Sequence, residues 1–183
     1  MRREFKKKSK VLLIDDNYEH LVGIRELLNL EGTFDVVGIA TNVNVGLNLI
    51  KKYQPDIVLL DMNMPERDGL QGIVEISKLE LGTKVLALSG YDDADLIFRA
   101  MKIGAKGYVL KTMASAQLIY AIEEVLNGKI YLPLPDDGTL IVEELEAPEG
   151  YVIGEITSHE VVVQKGENKR IDISNDKKAS IIV

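Results

Sequence analysis

The chain contains no cysteine. That excludes disulfides, thiolate metal sites and cysteine nucleophiles, and it fits a reducing cytoplasm, the expected compartment. Long apolar runs are also missing. Nothing approaches the roughly 18 residues that a membrane-spanning helix needs, so no transmembrane insertion is expected. The basic opening MRREFKKKSK has no apolar stretch of signal-peptide length behind it, because VLLI stops at two aspartates. Residues 1–9 read as a solvated basic tail. Histidine is scarce: there are 2, and neither His20 nor His159 falls where the candidate chemistry gathers. Positive charge is outnumbered. A net charge of -7 favours solubility and argues against non-specific attraction to nucleic-acid phosphates.

What is present is enough apolar material for a core. Hydrophobic residues make up 46% of the 183 positions and charged residues 28%, which predicts one ordinary domain with something added. KVLLIDD (10–16) reads as a short buried strand, and NYEHLVGIRELLNLEG (17–32) as a helix with Leu21, Ile24, Leu27 and Leu28 on one face. The alternation continues. FDVVGIA, DIVLLD, KVLALSG and KGYVLK are strands; NVNVGLNLIKKY, GLQGIVEISKLE, DADLIFRAMKIG and ASAQLIYAIEEVLNG are the helices after them. The third helix is expected to close near Gly82, and the second must end before Pro55. Strands this short and apolar on both faces belong to a covered parallel sheet. Right-handed crossovers then give an α/β fold, a doubly wound five-stranded parallel sheet in three layers.

Ligand sites in such sheets lie beyond the carboxyl ends of the strands. Those ends carry Asp15 and Asp16, then Asp61, Ser89 and Lys111. Carboxylates without cysteine suit a hard, oxygen-loving cation, with Mg²⁺ the natural choice. A metal beside an ionised, open Asp61 lets that carboxylate attack phosphorus. Lys111 could offset charge on the equatorial oxygens, and the Ser89 hydroxyl could donate a hydrogen bond. Each residue also has a plainer reading. The Asp15–Asp16 pair could merely cap the next helix, Asp61 open a turn, Ser89–Gly90 form a loop and Lys111 end a strand in water.

LLIDDN, DIVLLDMNMPERDG, VLALSG and GAKGYVLK, in this order, resemble the four signature segments of the receiver domain of two-component response regulators. GYVLKT is similar to the branch that usually precedes a LuxR/NarL-type helix-turn-helix; Thr112 stands where many receivers have proline. The resemblance implies a CheY-like, flavodoxin-like receiver over residues 10–132. It implies that Asp61 accepts a phosphoryl group from a sensor histidine kinase. Asp16 and Asp61 would hold Mg²⁺, Asp15 would help directly or through water, and the Asn63 carbonyl would complete the protein ligands. Ser89 and Lys111 would contact phosphoryl oxygens. Ser89 and Tyr108 would form the switch, Tyr108 swinging inward to reshape the face around the fourth helix, fifth strand and fifth helix. Phe98 and Ile119 are candidates for partner contact on that face, although both could equally be core.

After Leu132 the composition changes. Residues 133–183 contain no convincing helix and are net acidic; TLIVEEL, VVVQKG, KRIDISN and ASIIV read as strands. A paired amphipathic helix-turn-helix is not there to support DNA binding. EELEAPEGYVI instead resembles the carboxyl half of a Cna B-type β-sandwich, through Glu144, Ala147, Pro148, Gly150, Tyr151 and, at the end of a later strand, Asn175. That resemblance implies β structure, with Glu144 and Asn175 read as ordinary surface or turn residues.

The expected function is a phosphoacceptor switch that signals through protein contacts, homodimerisation included. The alternatives are a stand-alone phosphorelay intermediate, a regulator linked to DNA without the usual helical module, and an independent Mg²⁺-dependent phosphatase. The last lacks a second nucleophile or a general acid, so no enzyme activity is expected beyond self-phosphorylation and slow autodephosphorylation.

Overall fold

A computed structural model of the chain describes residues 7–64, 69–133, 138–143, 151–152, 158–163 and 176–177. Contacts divide the chain into two units, Met1–Pro133 and Leu134–Val183. The first alternates strand and helix throughout: β1 (Ser9–Ile14), α1 (Tyr18–Glu31), β2 (Phe34–Ala40), α2 (Val43–Tyr53), β3 (Ile57–Asp61), α3 (Gly69–Ser77), β4 (Lys84–Ser89), α4 (Ala94–Lys102), β5 (Gly107–Leu110) and α5 (Ser115–Leu126). All five strands are parallel, in the order β2-β1-β3-β4-β5. The order reverses at β1, so the crevice for a ligand opens past the ends of β1 and β3.

Side-chain alternation explains why the strands look uniformly apolar. Leu12, Ile14, Val58, Leu60, Val85 and Ala87 face one way, packing on Val43 and Ile50 of α2, Ile73 and Ile76 of α3 and Ala100 of α4. Val11, Leu13, Ile57, Leu59, Leu86 and Leu88 face the other, against Leu21, Ile24 and Leu28 of α1 and Ala121, Ile122 and Val125 of α5. Both faces are dry, and each buried aliphatic side chain contributes about 1.5–3 kcal/mol. The β1–β2 register slips once, between Val11↔Val36 and Leu12↔Gly38, beside the glycine that marks the weak point of β2.

Local chemistry sets most helix ends where the sequence places them. Asn17 caps α1 by accepting from the His20 N–H, so the Asp15–Asp16 pair is not the cap, and Gly32 closes the helix in the left-handed region. α2 stops at Gln54 (φ 46°), immediately before Pro55. The third helix departs from expectation. α3 ends at Ser77 rather than running toward Gly82, because Leu79 and Glu80 donate to the Ile76 and Ser77 carbonyls and Glu80 itself adopts φ 52°.

Beyond α5 the chain returns to the sheet edge. The Tyr108 N–H donates to the Tyr131 carbonyl at 2.8 Å, and the Tyr131 N–H to the Lys106 carbonyl at 3.3 Å. In the second unit, β6 (Gly138–Glu143) pairs antiparallel with β8 (Ser158–Val163), and β7 (Tyr151–Val152) with β9 (Asp176–Lys177). The β-rich expectation for TLIVEEL and VVVQKG is met over those spans. The strands expected at KRIDISN and ASIIV lie outside the described residues, as do Glu144, Ala147, Pro148, Gly150 and Asn175. Among the described residues no helix is long and apolar enough to cross a membrane.

Gly69 fixes the approach of α3 to the end of β3. A Cβ there would lie 2.5 Å from the Met62 Cα and 2.9 Å from the Asp61 carbonyl oxygen, both backbone atoms that cannot rotate away. Gly69→Ala is therefore expected to lose roughly 1–3 kcal/mol, read as a lower midpoint in urea unfolding. An unchanged midpoint would show that the backbone near Asp61 is not held this tightly.

Candidate phosphoacceptor site

Parallel pairing delivers the functional side chains to one edge. Asp61 is the last residue of β3 and pairs with Leu88, and the next N–H, of Met62, donates to the Leu88 carbonyl at 2.8 Å. One strand over, the Lys111 N–H donates to the Ser89 carbonyl at 2.7 Å. On the other side Asp15, just past β1, donates its N–H to the Ala40 carbonyl of β2. These backbone bonds leave little play at the strand ends.

Asp15, Asp16 and Asp61 come together there, each offering an oxygen within 4.8 Å of the others. Asp15 and Asp61 are both about 1% exposed, whereas Asp16 is exposed. Lys111 bridges the buried pair: its Nζ lies 2.8 Å from Asp15 Oδ2 and 2.9 Å from Asp61 Oδ1. Three carboxylates against one ammonium leave an excess of negative charge. An all-oxygen cluster with that excess fits a hard divalent cation.

The two buried carboxylates are not equivalent. Asp15 accepts from the Asn17 N–H on Oδ1 at 2.9 Å, and from Lys111 on Oδ2. Asp61 accepts from Lys111 and from the Asn63 N–H on Oδ1, the latter at 3.1 Å, and among the described residues nothing donates to Oδ2. Burial pushes the Asp15 carboxyl up, but His20, Lys111 and the Asn17 N–H outweigh it and hold the group below its ordinary value. For Asp61, burial is the largest effect and prevails. The nearby Asp15 charge adds to it, and Lys111 with the Asn63 N–H offsets only part, so this carboxyl sits above its ordinary value. Burial pulls Lys111 down, yet its two carboxylate partners hold it above its ordinary value and keep it charged.

His20 corrects an expectation. It was expected outside the cluster, but its Nδ1 lies 2.6 Å from Asp15 Oδ2. The first turn of α1 folds back over the end of β1, so a residue five positions along reaches the aspartate. His159 is in β8, in the other unit.

Ser89 is fully buried; its Oγ donates to Asn63 Oδ1 at 3.4 Å and accepts from the Tyr91 N–H at 3.1 Å. Asn63 itself is exposed. Tyr108, expected to swing inward, is already inward: the ring is fully buried and its hydroxyl donates to the Tyr91 carbonyl at 3.3 Å. Burial raises the phenol above its ordinary value, so it stays a neutral donor. Phe98 of α4 is 53% exposed, while Ile119 packs against the α1–α5 side of the core.

Residues 11–123 match the family model described as the response regulator receiver domain. The chain belongs to that family. This receiver is 34% identical over 125 residues to the transcriptional regulatory protein DegU of Brevibacillus brevis, covering 68% of this chain and 53% of that one. It is 36% identical over 124 residues to the transcriptional regulatory protein DesR of Bacillus subtilis, covering 67% of this chain and 61% of the other. Among solved structures it is similar to the signal receiver domain of NarL from Mycobacterium tuberculosis. The TM-score is 0.65 at 33% identity, covering 68% of this chain and all of that one. The chain thus spans little more than half the length of these curated relatives, and the shared part is the receiver. The flavodoxin-like α/β fold and the LuxR/NarL-type branch are both borne out.

Because the folded state raises Asp61, its ionised form costs stability at neutral pH. That cost disappears as pH falls through the raised value, since the folded protein then takes up the proton first. Asp61→Asn removes the charge and keeps an acceptor for Lys111. The variant should therefore melt above the wild type at neutral pH, with the gap closing as pH is lowered. Paired melting curves across that range test it; a variant less stable at neutral pH would contradict the assignment.

Proposed function

We propose that Asp61 is the phosphoacceptor of a two-component signalling switch and receives its phosphoryl group from a sensor histidine kinase. The observation that supports this best is the Lys111 bridge, which holds a buried, poorly solvated carboxylate in place with one oxygen unengaged among the described residues. Asp16 and Asp61 would hold Mg²⁺, Asp15 would help directly or through a water, and the Asn63 carbonyl would add a protein ligand. When bound, the cation supplies charge neutralisation between the acceptor carboxylate and the phosphoryl oxygens.

Transfer is in line. An Asp61 oxygen bonds to phosphorus as the P–N bond of the donor phosphohistidine breaks, and the departing imidazole nitrogen keeps the electron pair and takes up a proton. Lys111 already lies against Asp61 and passes to a phosphoryl oxygen. Ser89, whose hydroxyl bonds to Asn63, turns to donate to another. The Tyr91 N–H that binds Ser89 and the Tyr91 carbonyl that holds Tyr108 belong to one residue, so moving Ser89 bears on Tyr108. The switch is a population shift between two packings of the α4–β5–α5 face, with half-exposed Phe98 a candidate contact. Hydrolysis uses water and no dedicated protein base.

Output through protein contacts or self-association is the favoured reading, in the cytoplasm. The curated relatives are transcriptional regulators by name, which keeps a DNA-linked role as the alternative. A phosphorelay intermediate has no observation in its favour.

Incubation with acetyl phosphate and Mg²⁺ should add one phosphoryl group to the wild type by intact mass, and none to Asp61→Asn. Lys111→Ala should slow labelling at least ~10-fold, the scale of losing a charged group aimed at the transferring phosphoryl. Label on the Asn variant, or none on the wild type, would overturn the assignment. Light scattering on the same samples should show a phosphorylation-dependent dimer that Asp61→Asn fails to form; a monomer in every sample would count against self-association.

A further inference from the structure

We infer that His20 is a positioning residue for Asp15 and thereby sets the affinity of the acidic cluster for its divalent cation. The inference rests on the reading of Asp15, Asp16 and Asp61 as that cation's site.

Asp15 is a buried carboxylate with three donors around it. The Asn17 N–H occupies Oδ1 at 2.9 Å; the His20 Nδ1 and Lys111 Nζ share Oδ2 at 2.6 and 2.8 Å. A carboxylate can only accept, so the short contact places a proton on Nδ1 whether the ring is neutral or cationic.

The need for this donor follows from Lys111. That ammonium also binds Oδ1 of Asp61, the carboxylate that receives the phosphoryl group in this reading. As Lys111 moves toward a phosphoryl oxygen, Asp15 loses one of the two donors on Oδ2. A carboxylate 1% exposed cannot recruit bulk water in exchange. His20 stays, because it is on the first turn of α1 and its backbone N–H is tied to the Asn17 cap. Asp15 then keeps its rotamer, and its remaining lone-pair directions stay aimed at the cluster. Partners that orient metal-binding carboxylates typically cost ~10–100-fold in metal affinity when removed.

The ring is 31% exposed, and His20 and Lys111 both line a cleft of about 290 Å³ together with Gly23, Leu27, Met113 and Leu118. A different side chain at position 20 can thus be solvated there, and folding should survive substitution.

Mg²⁺ titration calorimetry on the full chain tests this with His20→Leu and His20→Asn. Leucine keeps apolar bulk without a donor. Asparagine places its Nδ2 the same number of bonds from the backbone as Nδ1. The leucine variant should bind Mg²⁺ at least ~10-fold more weakly, and the asparagine variant should recover most of the loss. Should leucine impair the cooperative melt, His20→Ala takes its place in the comparison. Equal affinity in all three proteins, or equal loss in both variants, would overturn the inference. A wild type that binds no Mg²⁺ would overturn it together with the cation reading. Labelling by acetyl phosphate in the same proteins reports on Asp61 separately, so the two failures are told apart.

Discussion

Two buried carboxylates stand at adjacent strand ends, and one ammonium group holds them both. Without Lys111, Asp15 and Asp61 would face each other across a nearly dry edge with like charges, a costly arrangement in a poorly polarisable site. With it, the pair is tolerated but not balanced: the charge count still favours a divalent cation, and Asp61 remains the harder of the two to ionise. Parallel pairing of β3 with β1 and β4, and of β4 with β5, fixes the spacing of Asp15, Asp61, Ser89 and Lys111 through backbone bonds that no side-chain rotamer can loosen.

Tension at this edge is connected to the far side of β5 by few atoms. Ser89 touches Tyr91, Tyr91 holds the Tyr108 hydroxyl, and the Tyr108 N–H is bonded to Tyr131 beyond α5. A phosphoryl group that moved Ser89 would have a short route to the α4–β5–α5 face, without any change of fold.

The legible parts of the sequence were those written in simple chemistry. Apolar runs ending in Asp15–Asp16 and Asp61 announce covered strands whose last residue reaches the edge, and Asn17, Asn42 and Asp93 are good caps at the helix starts. α3 was overestimated because SKLE continues the helical period, and nothing in residue type says that Glu80 will take a positive φ. His20 was missed for a geometric reason. Neither strand nor helix spacing predicts contact between a residue before a helix cap and one in its first turn; the turn angle at Asn17 decides it. The inward position of Tyr108 agrees with the plain reading of a tyrosine in a short apolar strand as a packed residue; it was the resemblance that implied a ring still to swing in.

The unequal state of the two buried carboxylates is the central claim, and carbon-13 NMR titration of the aspartate side chains measures it most directly. The account predicts that Asp61 titrates above an ordinary carboxylate and Asp15 below, and that adding Mg²⁺ lowers the Asp61 midpoint. Two carboxyls titrating together at the ordinary value, unmoved by Mg²⁺, would contradict it.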